Sequence, residues 1–368
     1  MLYIINLESY KERYTYWWKD YIPREFSKYT DVHVIEGEPL TSTVDTGTVL
    51  DAGGTNYYKA SQLKIICDMF SHGEIKNRDK FFICDIWFPG IEMIRYMSDL
   101  YKIEVQIYGI WHTGSITIGD FASVMHDWSK YFEIGFLNLC DKVFVGSDYS
   151  RQSIIDRLLL MNLPEYKVKE ISEKIHAYGM PLDYGYLQQF SSEKENIILY
   201  PHRPDTEKGI DQYLNMIDYL SMKWSQFDKF KFIFCTSRKE YSPSSEMIKV
   251  RLIAFLGRYN NISIRSDLSK EEYYRLLGRS KFVISTTLEE NFGYCIVEGI
   301  ALRCIPIVPN AFSYPEILEH DIRFLYNSYV EACNIIINID KTENIDLKII
   351  QKYAQPYDRV VHQWLTMM

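Results

Sequence analysis

Short apolar runs separated by amphipathic stretches recur along the whole chain. Leu2–Leu7, Val32–Ile35, Phe81–Cys84, Val105–Tyr108 and Lys142–Val145 are too short for helices and too continuously apolar for one-sided strands. The pattern resumes at Asn196–Tyr200, Phe230–Cys235, Ile262–Ile264, Phe282–Ser285 and Ile305–Val308. Helical stretches fill the intervals, among them Tyr10–Tyr29 and a segment opened by Asp51 that runs through Phe70. Buried strands alternating with helices predict an α/β protein with parallel sheets covered on both faces. A chain of 368 residues is long for one core, so two Rossmann-like domains facing each other across a cleft are expected. The turn-rich Ala177-Tyr178-Gly179-Met180-Pro181-Leu182-Asp183 divides the series. On this reading residues 1–180 form the first domain, 181–345 the second, and 346–368 a C-terminal helix that packs back on the first.

Composition narrows the chemistry. A net charge of −8 argues against tight nonspecific binding to duplex phosphates, although a local basic patch is not excluded. The seven cysteines are dispersed, without a CxxC pair or a His/Cys metal spacing, which fits a reducing cytoplasm and no metal. No apolar run approaches a membrane span, and the opening residues read as a first strand rather than a signal peptide. Thirty tyrosines are many, as on sugar- or base-binding surfaces, but compositional bias alone gives the same count.

The densest chemistry lies in Ser285–Leu318. Glu290 and Glu298 stand seven residues apart, with Asn291-Phe292-Gly293-Tyr294 directly after the first. Glu290 is expected on a strand-to-helix loop and Glu298 two turns into an apolar helix, where a carboxylate needs a partner. Such a loop offers free backbone N–H groups and the positive end of a helix dipole to an anion. Arg203 and Lys208-Gly209, after the Asn196–Tyr200 run, place two cations at a strand's carboxyl end, which suits a diphosphate. A solvated surface loop is the plain alternative for that pair, as water-facing glutamates are for the other. In the first half, Gly53-Gly54 is a candidate phosphate-approach loop, and His112 follows the Val105–Tyr108 strand. No G-x-G-x-x-G accompanies them, which lowers the case for a dehydrogenase.

Taken together these residues resemble the retaining GT-B glycosyltransferases of the family-4 type. Arg203 and Lys208-Gly209 match that family's R-x4-K-G, and Glu290 and Glu298 its E-x7-E with the Phe292-Gly293 step. Tyr178–Asp183, Leu139–Ser147 and Ser269–Tyr274 are similar to its hinge, the close of its first domain and the helix before E-x7-E. The resemblance implies a nucleotide-sugar donor, UDP- or GDP-linked, and no cofactor or metal. By it, Arg203 and Lys208 bind the diphosphate, Glu290 the transferred sugar and Glu298 the ribose hydroxyls. Backbone N–H groups of Asn291, Phe292, Gly293 and Tyr294 complete the donor contacts, and His112 faces the donor sugar.

For the acceptor, Pro309–Ile317 is similar to a segment of the queuosine-tRNA mannosyltransferases. The chain also looks like bacteriophage enzymes that glycosylate hydroxymethylated DNA bases, so a hydroxylated DNA base is the leading acceptor. A glycan or lipid-linked acceptor in surface polysaccharide synthesis is the alternative; a basic helix at Tyr10–Tyr29 with Trp17 and Trp18 is a candidate contact for it, and equally for nucleic acid. A nucleotide-sugar epimerase or a non-catalytic nucleotide-sugar binder is the reading of another class.

Overall fold

A computed structural model describes residues 1–8, 14–40, 52–117, 121–236, 238–243, 245–342 and 345–368. Asp51 and the first four residues of the expected Tyr10–Tyr29 helix, with Lys11 and Arg13, lie outside them. The chain forms two compact units, Met1–Met180 with Val360–Met368, and Pro181–Arg359.

The first unit holds a six-stranded parallel sheet in the order β2-β1-β3-β4-β5-β6. Its strands are β1 (Leu2–Ile5), β2 (Val32–Ile35), β3 (Lys80–Ile83), β4 (Gln106–Trp111), β5 (Lys142–Val145) and β6 (Ile175–Ala177). Both faces of the inner strands are buried, which is why β1, β3, β4 and β5 read as apolar runs. Phe81 and Ile83 join the core with Tyr3, Ile5 and Ile107. Phe82 points the other way, onto Phe26 and Trp364. The helix Val360–Met367 closes that second face: Trp364 is fully buried against Phe82 and Phe144, and Tyr108 Oη donates to the Met368 carbonyl at 2.8 Å. Leu347–Gln351 and Gln355–Arg359, which precede it, belong to the second unit.

The second unit repeats the design in the order β12-β11-β10-β7-β8-β9. Its strands are β7 (Glu195–Tyr200), β8 (Lys231–Cys235), β9 (Ile262–Arg265), β10 (Ser280–Ile284), β11 (Ile305–Pro309) and β12 (Leu325–Tyr326), all paired in parallel. From β7 the chain winds outward through β8 and β9, then returns to start again at β10 on the other side of β7. The order therefore reverses between β7 and β10, and such a switch point at the carboxyl ends of the strands is where open α/β sheets receive ligands.

The ten strands expected from sequence are all present, with ends shifted by up to three residues; β6 and β12 are additional. The expected helix at Tyr10–Tyr29 is a 3-10 turn, Tyr14–Trp17, followed by an α-helix, Trp18–Ser27. Trp18 is fully buried and its ring lies 4.9 Å from that of His112, so it belongs to the core and not to an external contact face. No helix among the described residues is long and apolar enough to cross a membrane.

Candidate functional site

Two loops meet at the β7/β10 crevice. The first carries Arg203 to Lys208 and enters the helix Ile210–Lys223 through Gly209; the second carries Thr286 to Glu290. They are stitched together by hydroxyl and amide donors on backbone carbonyls. Thr286 Oγ1 donates to the carbonyls of Lys208 and Gly209, at 3.1 and 2.8 Å, and Tyr200 Oη reaches the Lys208 carbonyl at 2.5 Å. Leu288 N donates to the Glu207 carbonyl at 2.8 Å. Gly209 has φ +67°, and a Cβ there would stand 1.9 Å from the Thr286 carbonyl oxygen. The close approach of the loops therefore requires glycine at this position.

This stitching brings Lys208 Nζ to 3.4 Å from Glu290 Oε2, both side chains 18% exposed. Burial, the largest influence, pulls the Lys208 ammonium down, but Glu290 together with Cys295 and Glu207 outweighs it and the net shift is upward, so Lys208 stays charged. Beside it Arg203 lies 3.0 Å from Glu207 and 3.4 Å from Asp205. Arg238, from the loop after β8, grips both oxygens of Asp205 at 3.1 and 2.9 Å. His202 is buried under this cluster. Its burial, and then the charges of Lys208 and Arg203, push the imidazole well below its usual value, so it is neutral. Cations converge here on a strand-end crevice, the placement that receives phosphates in open α/β sheets.

The second loop continues through Asn291 and Phe292 to Gly293, which caps the helix Tyr294–Ala301 with φ +75°. A Cβ on Gly293 would lie 2.8 Å from the Tyr314 ring, whose hydroxyl is fixed to Ser285 Oγ at 2.8 Å. Among the described residues the N–H groups of Phe292, Gly293 and Cys295 hold no hydrogen bond, so they are available to an anion. Phe292 is buried edge-on against Tyr294 and Tyr357, and Tyr294 Oη donates to the Pro181 carbonyl at 2.8 Å. Both contacts hold the loop in place.

Glu298 is 3% exposed, and its partners are protein groups. Lys270 Nζ at 3.1 Å and Tyr274 Oη at 2.8 Å both bond Oε1, while Oε2 makes no hydrogen bond among the described residues. Lys270 and Tyr274 come from the helix Lys270–Arg279, whose start is set by a capping box of Ser269 and Glu272. The buried carboxylate is thus compensated within the chain, with Oε2 unengaged among the described residues.

In the first unit, His112 directly follows β4, and Nε2–H donates to the Cys84 carbonyl at 2.8 Å. Next to it Asp85 lies 3.3 Å from Lys59 Nζ. Burial would raise the Asp85 carboxyl, yet Lys59 and His112 hold it below its ordinary value. Glu133 is buried and accepts from Ser115 Oγ at 2.7 Å and Ile116 N at 3.1 Å. It pins the loop after His112, with Gly114 too close to tolerate a Cβ. Gly53 and Gly54 lie in the first turn of the helix Ala52–Ser71 and not in a loop.

Arg203, Lys208, Glu290 and the 291–294 turn thus converge at one sheet edge, with Glu298 on the helix that follows. His112 and Gly54 lie in the other unit. Sequence reasoning passed over Arg238, Asp205, Lys270 and Tyr274. Asp205 sits inside the quoted Arg203–Gly209 segment, and Lys270 and Tyr274 inside the quoted Ser269–Tyr274 phrase. Arg238 had the weaker signal of a cation just beyond an apolar strand.

Residues 187–354 match the family model of the glycosyl transferases group 1. The chain is 27% identical over 206 residues to a tRNA-queuosine alpha-mannosyltransferase of Drosophila melanogaster, covering 51% of this chain and 52% of that protein. Over 50 residues it is 44% identical to a putative glycosyltransferase 41 of the Sulfolobus islandicus filamentous virus, 14% of this chain and 15% of that one. The chain therefore spans about half the length of the first of these relatives and less of the second. A trehalose-6-phosphate synthase structure superposes with TM-score 0.63 at 12% identity, over 98% of this chain and 95% of that one. A sucrose-phosphate synthase of Thermosynechococcus elongatus gives 0.62 at 12% identity, over 98% and 94%. Residues 187–354, most of the second unit, thus match the group 1 glycosyl transferase model, and the GT-B fold is shared over nearly the whole chain.

Proposed function

We propose that this chain is a retaining glycosyltransferase of the family-4 type, moving a sugar from a UDP- or GDP-sugar to an acceptor hydroxyl. The observation that carries the reading is the Lys208–Glu290 pair at the β7/β10 switch point, with Arg203 beside it and unpaired N–H groups at Phe292, Gly293 and Cys295. Arg203 and Lys208 take the donor diphosphate. Glu290 and the 291–294 turn hold the transferred sugar, and Glu298 offers Oε2 to the ribose. His112 is the first unit's contribution to catalysis.

In the transfer, the bond between the anomeric carbon and the diphosphate oxygen breaks as one from the acceptor oxygen forms on the same face. The acceptor proton passes to the departing diphosphate, so no side-chain nucleophile is required. Arg203 and Lys208 neutralise the charge that grows on the leaving group, and that is where the chain does its catalytic work.

The acceptor in this reading is a hydroxyl on a modified nucleobase, with hydroxymethylpyrimidine in viral DNA the first candidate. The mannosyltransferase relative, whose name specifies queuosine in tRNA, supports the base-linked class. The test incubates the protein with UDP- and GDP-sugars and, separately, hydroxymethylated DNA, queuosine-containing tRNA, unmodified DNA and simple glycans, and reads products by mass spectrometry. Transfer to a modified base, with the anomeric configuration retained by NMR, supports the proposal. Transfer only to glycans moves the acceptor to polysaccharide synthesis. Donor binding without transfer to any of them makes the chain a binding protein, and conversion of the donor sugar without an acceptor makes it an epimerase.

A further inference from the structure

We infer that Arg238 is a positioning residue for the donor diphosphate: it neutralises Asp205 and so leaves Arg203 available to the phosphates. The inference rests on the reading of this crevice as a diphosphate site.

Asp205 is shared by two guanidinium groups on unequal terms. Arg238 donates to both its oxygens, and these two side chains are 17% and 13% exposed. Arg203 reaches one oxygen at 3.4 Å, and it and its other partner Glu207 are 40% and 43% exposed. A part-buried bidentate pair is strong, whereas a single long contact at the surface is weak. Arg238 is also held by its backbone: N–H donates to Thr236 Oγ1 at 3.2 Å, and the carbonyl accepts from Asp267 N at 2.7 Å. It therefore stays in place while Arg203 can move.

The crevice opposes three cations, Arg203, Lys208 and Arg238, with three carboxylates, Asp205, Glu207 and Glu290. Every cation that would meet a phosphate already has an internal counter-ion. Affinity for a diphosphate then depends on how readily those carboxylates let go. Without Arg238, the part-buried Asp205 would have Arg203 as its remaining cation among the described residues and would take it bidentately. The carboxylate is not needed for the local turn, since Asp205 precedes the Thr206–Lys208 turn without a side-chain cap.

Calorimetric titration of the full chain with UDP and GDP, at two salt concentrations, tests this. Arg238→Gln is expected to weaken binding about tenfold, and Asp205→Asn to tighten it severalfold with a steeper salt dependence. Combining Asp205→Asn with Arg238→Gln should return affinity to within about twofold of wild type, because the competing carboxylate is gone. In turnover assays the Arg238→Gln effect should appear in KM for the donor and not in kcat. A double variant as weak as Arg238→Gln, or an unchanged Arg238→Gln, overturns the inference while leaving the site reading intact. A wild type that binds neither nucleotide overturns both. Should Arg238→Gln fail to fold, the isosteric Asp205→Asn decides alone, and unchanged or weaker binding there overturns the inference.

Discussion

Lys208 Nζ lies 3.4 Å from Glu290 Oε2 across 82 positions of sequence, and neither group is placed by its own neighbours. The contact exists because Thr286 and Leu288 bond the backbone of the Glu207–Gly209 turn. If Lys208 stabilises the departing diphosphate, Lys208→Ala should lower turnover by about a hundredfold, the scale of losing one charge-stabilising donor. It also leaves Glu290 half-buried without its partner. Combining Lys208→Ala with Glu290→Gln should therefore recover much of the lost stability and none of the activity. Thermal melts and initial rates of the two single variants and the double variant check both halves.

The Gly209 turn makes a sharper structural prediction. Alanine in a left-handed conformation costs about 1 kcal/mol by itself, and here its Cβ would also meet the Thr286 carbonyl at 1.9 Å. Gly209→Ala should lower the melting temperature and abolish the stabilisation that UDP or GDP gives the wild type. Gly257, in the helix Glu246–Arg258, is the control, because a Cβ there meets nothing within 4 Å. Gly257→Ala should stabilise by about 0.4–1 kcal/mol and leave nucleotide binding unchanged.

The sheet was legible in sequence because strands buried on both faces announce themselves as apolar runs. The two strands that escaped notice are short: Ile175–Ala177 carries a histidine at its centre, and Leu325–Tyr326 has only two residues. The loop positions of Arg203, Lys208 and Glu290 were legible because each lies between a strong strand and the helix after it, and the loop at a strand end in a parallel sheet is a predictable place. Partners were not. Glu298 was expected to need a partner, but which one was not readable: Lys270 and Tyr274 reach it from 28 and 24 positions away. Such pairings depend on how one helix is rotated against another, and periodicity fixes the buried face without fixing which polar atoms meet there. Gly53-Gly54 misled for a related reason: glycine marks backbone freedom, and the helix simply starts before it uses any.

That arrangement around Glu298 yields a separable prediction. Glu298→Ala should weaken binding of the nucleoside diphosphate and also destabilise the fold, since it strands Lys270 and the buried Tyr274 hydroxyl. Glu298→Gln keeps an acceptor for both and should cost less stability. If Oε2 serves the ribose, its affinity for UDP or GDP should still fall about tenfold, while affinity for inorganic pyrophosphate stays level. Equal loss for pyrophosphate would move Glu298 from the ribose to the phosphates.

Asp321 ties the segment before the C-terminal helix to the second unit, and it should make that unit acid-sensitive in a defined window. Its carboxylate accepts from Arg323 Nη2 at 2.5 Å and from Tyr353 Oη at 2.6 Å. The Arg323 bonds, against some opposition from burial, lower its pKa to about 2. A folded-state pKa below that of the unfolded chain means the charged form is favoured by folding. The contribution is therefore fully present above about pH 4, the unfolded value, and is lost as the pH falls through 2. Arg323 is 55% exposed, so solvent screening reduces the effect, and about 1 kcal/mol is expected at neutral pH. Asp321→Asn should show that deficit in urea melts at pH 7, and the gap to wild type should narrow steadily between pH 4 and pH 2. A gap that persists undiminished at the acid end would mean that packing of Tyr353, and not the charge on Asp321, holds the segment in place.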